Sequence, residues 1–425
     1  MTKKENLPDL PDGWMWDKLE NISKKLKAGG TPRTSIREYY ENGTIPFVKT
    51  EDIVNSNKFL RETKTEITLD GVNSCSAWIV PEYSVLYSMY ASYGEPIINK
   101  KKVTTSQAII AYLPPDELMN VEYIYYYLKK IKPELKTRGT TQKNINAKIV
   151  RNINVPIPPL NEQKRIVNKI EELFTKVHKS IKELKSLKKK LNTYKKIVLK
   201  SAFKGNLVEI KNSIIKTSLS EEFEIIMGQS PKSIHYNKEG EGLPFFQGKK
   251  EFTDLYADVQ KWSRKANKIA EKDDVLVSIR APIGPVNLAP AKCGIGRGLA
   301  AIKPNSKTKA KLIFYLLRIY QTELKKRGTG STFRAITKSR LYSLPITLPE
   351  SKEDRDKILI AIESHFSIIK KLEEIIDNTL IKQGQLKKSI LKNAFEGKLI
   401  PQNPNDEPAE KLLERIKKEK QKNKI

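Results

Sequence analysis

The sequence contains two copies of one long segment. SAFKGNLV begins at residue 201 and the similar NAFEGKLI begins at residue 393, while KIEELF at 169 recurs as AIESHF at 361, so both pairs are offset by 192 residues. Solenoid proteins instead repeat a unit of about 20–50 residues several times. Two copies at this longer spacing indicate a duplicated unit of domain size. We therefore expect two similar modules.

The chain is strongly basic. It contains 79 Lys and Arg residues against 49 Asp and Glu residues, which gives a formal net charge of +30 at pH 7. The excess is high between residues 161 and 205, where the sequence has 14 basic and 4 acidic residues. Such a charge favours a polyanionic partner, and a duplicated basic chain would contact one long polyanion at two places. The alternative is a proteome that is rich in lysine throughout.

The spacing of the cysteines and the composition of the N-terminus indicate the cellular compartment in which the protein works. The two cysteines, Cys75 and Cys293, have neither the spacing of a disulfide scaffold nor that of a zinc site. The N-terminal MTKKENLPDLPDGW has no apolar signal core, and no run of about 18 apolar residues predicts a membrane span. We therefore expect a cytoplasmic protein with no membrane contact and no metal site.

Both modules have patterns of mixed helix and sheet. In the first, β-rich runs such as IPFVK (45–49) and AIIAYL (108–113) are separated by turn residues, and a helix is predicted near 121–131. In the second, runs such as DVLVSI (274–279) precede a predicted helix near 311–326. The predicted class is therefore α/β (α+β), with two similar globular domains.

A long helix is predicted after each module. Residues 161–203 contain no Gly or Pro, and their apolar residues recur at steps of three and four, which is typical of a coiled-coil seam. A similar pattern runs from about residue 353 to 394. One such helix cannot bury its own stripe, so we expect the two to pair as an antiparallel coiled coil about a pseudo-twofold axis. The spacer residues predicted for this seam are Ile170, Val177, Leu184, Leu191, Ile362, Ile369, Leu372 and Ile376.

These patterns predict five segments. They are a first module (1–157), a first spacer helix (158–205), a second module (206–349), a second spacer helix (350–400) and a basic C-terminal tail (401–425). A stiff spacer between two basic modules suits double-stranded DNA, whose charges and base pairs repeat regularly along its axis.

The order of these segments resembles the specificity (S) subunit of type I restriction–modification enzymes. The resemblance covers nearly the whole chain. The stretches that carry it are GGTPRTSIREYYENGTIPFVKTEDI (29–53), TTQKNINAKIVRNINVPIPPLNEQKRIVNKIEELF (140–174), MGQSPKSIHY (227–236) and AFEGKLIPQNPNDEPAEKLLERIKKEK (394–420).

The resemblance implies a division of labour. Each large module would be a target-recognition domain that reads one half of a bipartite site in double-stranded DNA. The paired helices would set the gap between the halves and dock two methyltransferase (M) subunits, and restriction (R) subunits would join for cleavage. The second copy departs from the pattern, because PPLNEQ at 158–163 is replaced by LPESKED at 348–354. Equal docking of both M subunits is therefore not implied.

The candidate DNA-binding residues lie in glycine-rich or basic loops of both modules. Glycine lets a backbone approach a surface closely, hydroxyl and amide groups bond to phosphates or base edges, and Arg and Gln are bidentate readers of guanine and adenine. The alternative for each residue is an ordinary turn or surface side chain. The candidates are Gly29, Gly30, Thr31, Arg33, Lys49, Ser92, Tyr93, Arg138, Thr140, Thr141, Gln142, Lys143, Gly228, Gln229, Ser230, Gln247, Lys249, Arg280, Arg297, Arg327, Thr329, Ser331 and Arg334.

Catalytic motifs are missing from the sequence. It has no GxGxxG, P-loop, GxSxG or HExxH pattern, and no DPPY- or NPPF-like stretch of an adenine methyltransferase. We therefore expect a non-catalytic chain, with no cofactor of its own. S-adenosylmethionine, ATP and magnesium would belong to partner subunits.

Three other functions remain open from the residues alone. A fused methyltransferase or nuclease would transfer methyl groups or cut DNA without partners. A stand-alone nucleic-acid module, including one directed to RNA, would work without a methyltransferase encoded beside it. A solitary coiled-coil assembly factor would show no salt-sensitive binding to DNA.

Overall fold

Two structural units make up the chain. The computed structural model describes residues 7–90, 94–132, 144–330 and 334–422. The first unit comprises Met1–Lys182 with Thr379–Ile425, and the second comprises Glu183–Asn378. Because these boundaries fall inside the two long helices, each of those helices contributes one part to each unit.

The first unit is built from short strands and helices in front of a long helix. Its elements in chain order are β1 (Met15–Lys18), β2 (Lys25–Ala28), β3 (Ile45–Val48), α1 (Thr50–Asn55), β4 (Phe59–Leu60), β5 (Thr65–Ile67), α2 (Leu69–Asn73), β6 (Val85–Ser88), β7 (Pro96–Asn99), β8 (Thr104–Thr105), β9 (Ile109–Leu113), α3 (Val121–Ile131), α4 (Ala147–Arg151), β10 (Asn154–Ile157) and the start of α5 (Leu160–Phe203). Its three sheets have the orders β2-β9-β6-β7-β4, β5-β3-β8 and β1-β10.

The second unit continues from the end of α5. Its elements are β11 (Ile214–Ser218), α6 (Leu219–Glu222), β12 (Ile225–Met227), β13 (Tyr236–Asn237), β14 (Leu243–Phe246), β15 (Trp262–Ser263), β16 (Ile269–Ala270), β17 (Val275–Ser278), β18 (Val286–Leu288), β19 (Cys293–Ile295), β20 (Leu299–Ile302), α7 (Ala310–Ile319), α8 (Gln321–Arg327), α9 (Lys338–Tyr342), β21 (Pro345–Pro349) and the start of α10 (Lys352–Phe395). The sheet orders are β12-β20-β17-β18, β13-β15-β14-β19-β16 and β11-β21.

The duplication is visible in the strand pairing. The antiparallel order β2-β9-β6-β7 of the first unit corresponds to β12-β20-β17-β18 of the second. The parallel pair β3–β8 corresponds to β14–β19. The small sheet β1–β10, which precedes the long helix, corresponds to β11–β21. The predicted mixed α/β class with two similar modules is confirmed.

The central strands of both units are buried on both faces. All four residues of β6 and all four of β17 are buried, and the helix that follows each sheet packs one apolar face on it. In the first unit this helix is α3, whose Tyr123, Ile124 and Leu128 are buried to within 1% of full burial. In the second it is α7, with Leu312, Ile313 and Leu317. None of the described helices has an apolar stretch that could cross a bilayer.

The two long helices pair with opposite chain directions. Each contains 44 residues. In the second unit, Lys188 Nζ lies 2.5 Å from Asp377 Oδ1 and Lys195 Nζ lies 2.8 Å from Glu373, so residue numbers rise along α5 as they fall along α10. In the first unit, Lys387 Nζ lies 2.7 Å from His178 Nε2. The predicted antiparallel pairing of the helices is confirmed.

The predicted seam residues differ in burial. Ile170, Val177, Ile362, Ile369 and Ile376 are buried, and Leu184 and Leu191 are half-buried. Leu372 is instead 43% exposed. At about 100° per residue, it is rotated by about 60° from Ile369 and so lies at the edge of the buried stripe.

The start of each long helix is fixed by a buried polar side chain. In the first copy, Gln163 Oε1 accepts a hydrogen bond from the Asn120 N–H at 3.0 Å, and Nε2 donates to the Pro158 carbonyl at 3.0 Å. In the second copy, Arg355 Nε donates to the Pro349 carbonyl at 2.6 Å. Gln163 is the last residue of PPLNEQ, whereas Arg355, 192 positions later, directly follows LPESKED, so the two copies anchor the start of the helix with different buried side chains.

Part of the segment that we predicted as a basic tail is helical. It forms α11 (Ala409–Lys422), whose Leu412, Leu413 and Ile416 are buried in the core of the first unit. Asp406, in the segment just before α11, forms an ion pair with Arg165 of α5, in which the nitrogen and oxygen atoms are 2.6 Å apart. This end of the chain is therefore part of the folded first unit.

Two aspartate substitutions test the pairing of the helices. Ile369→Asp places a charge at a site that is 1% exposed, and we expect it to lower the free energy of unfolding by about 3–5 kcal/mol. Leu372→Asp, at an exposed site three residues away, is the matched control and should cost less than about 1 kcal/mol. Urea unfolding followed by circular dichroism at 222 nm measures both. Equal losses would contradict the burial pattern.

Candidate nucleic-acid interface

A glycine loop follows β2 in the first unit and packs tightly on a neighbouring turn. The Gly29 N–H donates to the Ile109 carbonyl at 3.0 Å, and the Gly30 N–H donates to the Thr105 carbonyl at 3.0 Å. A Cβ atom on Gly29 would lie 1.9 Å from that Thr105 oxygen. Residue 29 must therefore be glycine for the loop to approach the turn this closely.

The neighbouring turn, Ser106–Ile109, presents one polar side chain. The Ile109 N–H donates to the Ser106 carbonyl at 3.0 Å and closes the turn. The Thr31 hydroxyl lies 3.5 Å from the backbone N–H of Gln107, at the limit of hydrogen-bond distance. Gln107 itself is exposed. The hydroxyl of Thr31 thus faces the turn backbone, while the Gln107 amide points outside the core.

The second unit has the same arrangement with different side chains. The Gly228 N–H donates to the Leu299 carbonyl at 2.9 Å, and the Gln229 N–H donates to the Ile295 carbonyl at 3.0 Å. A Cβ atom on Gly228 would lie 2.1 Å from the Gly296 oxygen. Glycine is therefore required at the same place in both copies, for the same steric reason.

Ser230 occupies the position of Thr31. Its hydroxyl oxygen accepts a hydrogen bond from the Arg297 backbone N–H at 3.2 Å. The Arg297 side chain is exposed, as Gln107 is in the first unit. The hydroxyl that follows each glycine loop therefore has a structural partner, and the side chain beside it is the group that can contact a ligand.

Five of the predicted residues of the second unit line one small cleft. The cleft has a volume of about 160 Å³. Arg280 and Arg297 are both exposed at it, and neither guanidinium has a carboxylate partner within the described part of the chain. Two arginines without such partners favour an anionic or hydrogen-bond-accepting ligand. The predicted residues that line it are Ser230, Gln247, Lys249, Arg280 and Arg297.

The Gln247 side chain in this cleft is held in place. Its Oε1 accepts a hydrogen bond from Lys261 Nζ at 2.7 Å, and its Nε2 donates to the Tyr236 hydroxyl at 3.1 Å. The Tyr236 ring stacks on Phe245 with 5.0 Å between the centroids. The orientation of the Gln247 amide is therefore set by the protein before any ligand binds. Lys49 occupies the corresponding position after β3 in the first unit.

Comparison with known proteins decides the family. A family model described as "Type I restriction modification DNA specificity domain" matches residues 11–189 and 215–389. The chain is 30% identical to the putative type I restriction enzyme MjaX specificity subunit of Methanocaldococcus jannaschii, over 93% of this chain and 96% of that protein. It is 22% identical to the EcoBI specificity subunit of Escherichia coli, over 97% and 94%.

Two solved structures are similar over nearly the full length. The HsdS subunit from Thermoanaerobacter tengcongensis is 27% identical with a TM-score of 0.63, over 93% of this chain and 99% of that one. A chain from a study of complex assembly and conformational transition of the type I R-M system is 28% identical with a TM-score of 0.72, over 92% and 100%.

This chain is a member of the type I restriction enzyme specificity subunit family. The resemblance inferred from the sequence is thereby confirmed, and the two family-model matches coincide with the two copies of the duplication.

Several predicted residues of this S subunit lie away from the cleft. Arg327 is engaged within the protein, because its guanidinium donates to Glu323 at 3.2 Å, to the Arg340 carbonyl at 3.1 Å and to Ser343. This arginine therefore joins α8 to α9. Thr329 pairs through its backbone with Ala335, and the Thr329 and Arg334 side chains are exposed.

In the first unit, Arg33 is exposed beyond the glycine loop, and Lys49 is half-buried with its Nζ 6.0 Å from the Phe47 ring centroid. The remaining predicted residues lie outside the described part of the chain. They are Ser92, Tyr93, Arg138, Thr140, Thr141, Gln142, Lys143 and Ser331.

Two residues of the first unit were missed by the sequence argument. Gln107 corresponds to Arg297, and Tyr90, which is 43% exposed, follows Met89 as Arg280 follows Ile279. The backbone hydrogen bonds of the structure align TSQAIIAYL (105–113) with IGRGLAAIK (295–303) and so place glutamine opposite arginine. No basic charge marked either residue of the first unit as a candidate.

The first unit also has a large basic cleft beside its long helices. Its volume is about 1050 Å³, and Tyr125, Tyr126, Phe174 and six lysines are among the residues that line it. Burial, together with Lys387 and Lys129, lowers the pKa of His178. Burial and Lys129 lower the pKa of Lys387. This cleft therefore holds closely spaced cationic groups that a bound anionic group would stabilise.

Removal of one arginine from the small cleft tests its contact with DNA. We expect Arg280→Gln to weaken binding of duplex DNA and to reduce the slope of log K against log salt by about 1, because one phosphate contact is lost. Arg264→Gln is the control, since Arg264 is an exposed residue of the same unit that is paired with Glu241. Fluorescence anisotropy at several salt concentrations measures both. An unchanged slope for Arg280→Gln would place this residue away from the phosphates.

Proposed function

We propose that this S subunit selects a bipartite site in double-stranded DNA, with one half-site read by each unit. The proposal rests on a loop cluster that occurs once in each unit. It consists of a glycine loop and the neighbouring four-residue turn, which are 29–31 with 106–109 in the first unit and 228–230 with 296–299 in the second. The same glycine-dependent backbone is present in both units, but the exposed side chains at corresponding places differ, Gln107 in one and Arg297 in the other. A common backbone with different side chains suits two half-sites of different sequence.

The net charge of +30 supports a nucleic-acid partner. Duplex DNA is favoured over a small anion because the exposed basic groups occur in both units. The arginines at the cleft of the second unit supply contacts to phosphates or guanine. The candidate loop residues of both units belong to this proposed interface, apart from the side chains of Arg327 and Gln247, which already have partners within the protein.

The paired helices α5 and α10 are proposed to set the gap between the half-sites and to dock two M subunits. Support for docking comes from large apolar side chains that the second unit leaves in contact with solvent on both helices. On α5 these include Ile197, which is 52% exposed, and on α10 they include Ile368, which is 57% exposed. Exposed apolar residues that recur along a helix are typical of a surface that a partner covers.

The chemistry is assigned to the partners. The described residues contain no cluster of His, Cys, Asp and Glu that could hold a metal ion. We propose that S-adenosylmethionine is bound by the M subunits and that ATP and magnesium are bound by the R subunits. The two cysteines are unpaired, which is compatible with the reducing cytoplasm as the working compartment.

Reconstitution with the methyltransferase tests the proposed function. The purified S subunit should bind duplex DNA but transfer no methyl group from labelled S-adenosylmethionine. The same protein mixed with its M subunit should methylate adenines in one bipartite sequence, which sequencing of the modified DNA identifies. Methyl transfer by the S subunit alone, or methylation without sequence selection by the complex, would refute the proposal.

Helix length provides a separate test of the spacer. Insertion of four residues, about one turn, after Leu184 of α5, with a matching insertion in α10, should change the number of base pairs between the methylated half-sites. The bases within each half-site should stay the same, because neither loop cluster is altered. Circular dichroism confirms that the inserted residues are helical. An unchanged gap in an active, folded variant would show that the helices do not set the spacing.

A further inference from the structure

The turns that carry Gln107 and Arg297 occupy the same place in the two units. Each is a four-residue turn between the strand that pairs in parallel and the next strand of the sheet. The first residue accepts a hydrogen bond from the fourth in both, at 3.0 Å for Ser106–Ile109 and 2.9 Å for Gly296–Leu299. The second residue is Gln107 in one turn and Arg297 in the other, and both are exposed.

Neighbouring backbone groups hold the two turns in the same way. In each unit, the backbone N–H of the first turn residue donates a hydrogen bond to the carbonyl of the last residue of β3 or β14. The backbone N–H of the residue after the central strand, β6 or β17, donates a hydrogen bond to the carbonyl of the third turn residue. These bonds are Ser106 N to Val48 O (3.0 Å) and Met89 N to Ala108 O (2.8 Å) in the first unit, and Gly296 N to Phe246 O (2.8 Å) and Ile279 N to Gly298 O (2.9 Å) in the second.

Three other side chains of these clusters are engaged within the protein. The hydroxyls of Thr31 and Ser230 lie against the turn backbones, and the Gln247 amide bonds to other side chains of its own unit. By contrast, neither the Gln107 amide nor the Arg297 guanidinium bonds to another side chain among the described residues. Both groups have the paired donors and acceptors, or the donor fork, that bidentate base recognition requires.

We propose that residues 107 and 297 are corresponding specificity-determining positions, which contact the same relative base position in the two half-sites. Gln107 selects adenine in the half-site of the first unit, and Arg297 selects guanine in the half-site of the second. This inference rests on the proposed function, since it assumes that each unit reads one half of a bipartite site. Beyond the proposed function, this inference identifies the two side chains that select a base and the base that each of them selects.

The test is the methylated sequence of the reconstituted complex. Wild-type S subunit and the variants Gln107→Arg and Arg297→Gln are each combined with the M subunit, and the methylated DNA is sequenced. We expect Gln107→Arg to replace or relax one adenine in one half-site only, and Arg297→Gln to replace or relax one guanine in the other half-site only. Discrimination at the affected position should change about tenfold or more, because a bidentate pair is exchanged.

The outcomes separate the inference from the proposed function. If the wild type methylates a bipartite sequence and both variants methylate the same sequence with the same base preferences, residues 107 and 297 do not select bases, and the proposed function stands. If both variants change the same half-site, the correspondence between the units is wrong. If the wild-type complex selects no bipartite sequence, the proposed function and this inference both fail.

A conservative substitution distinguishes base selection from general binding. Arg297→Lys keeps the charge but removes the fork, so we expect overall affinity for DNA to change less than twofold while the guanine preference falls at least fivefold. Arg264→Gln removes an exposed arginine of the same unit that pairs with Glu241, and it should leave base preference unchanged. Equal effects of Arg297→Lys on affinity and preference would overturn the assigned role.

Discussion

The fold depends on the burial of the apolar stripes of α5 and α10. A 44-residue helix with polar residues on most of its surface gains little from intrinsic propensity, so its stability comes from tertiary packing. Each stripe is covered in two ways. Within each unit, side-chain contacts such as Lys387–His178 and Lys195–Glu373 join the two helices. The helix ends pack on the sheets and on α3 or α7. In the first unit, Ile166 and Ile170 are in the same core as Tyr123 and Ile124.

The ends of the helices connect this pairing to the recognition loops. Phe395, near the end of α10, packs against Tyr123 and Tyr127 of α3 with ring centroids 5.1 Å apart. Gln163, near the start of α5, bonds to the residue that caps α3. Helix α3 in turn covers the sheet from whose strands the loop cluster extends. A displacement of the helix pair would therefore disturb the surface on which the first loop cluster rests.

The sequence alone was sufficient for the repeated architecture but not for the site. The long helices could be predicted because apolar residues such as Ile170 and Val177 recur at steps of three and four over many turns. A single residue that departs from this pattern does not hide it. The burial of a single position could not, because Leu372 differs from Ile369 only by a rotation about the helix axis. Arg327 was an attractive DNA ligand in the sequence, but its partners include the carbonyl groups of Arg340 and Ser343, which only the tertiary fold brings near.

The correspondence of Gln107 and Arg297 was hidden by insertions. The glycine loops are offset by 199 residues (29 and 228), while the turns are offset by 190 (107 and 297), so a single repeat spacing does not align both. The backbone hydrogen bonds do align the loops and turns of the two units. The same pairs of N–H and carbonyl groups bond in both units, although the loops between them differ in length.

This difference explains how a duplicated chain can recognise two different sequences. The steric requirement for glycine at positions 29 and 228 constrains the backbone of both copies, and any Cβ atom there would overlap a carbonyl oxygen. Residues 107 and 297, at the second position of the adjoining turns, meet no such constraint, because their side chains are exposed. Only their backbone N–H groups face the hydroxyls of Thr31 and Ser230. Selection can therefore exchange glutamine for arginine at that position without a cost in packing. The same backbone then presents a different hydrogen-bonding group in each unit.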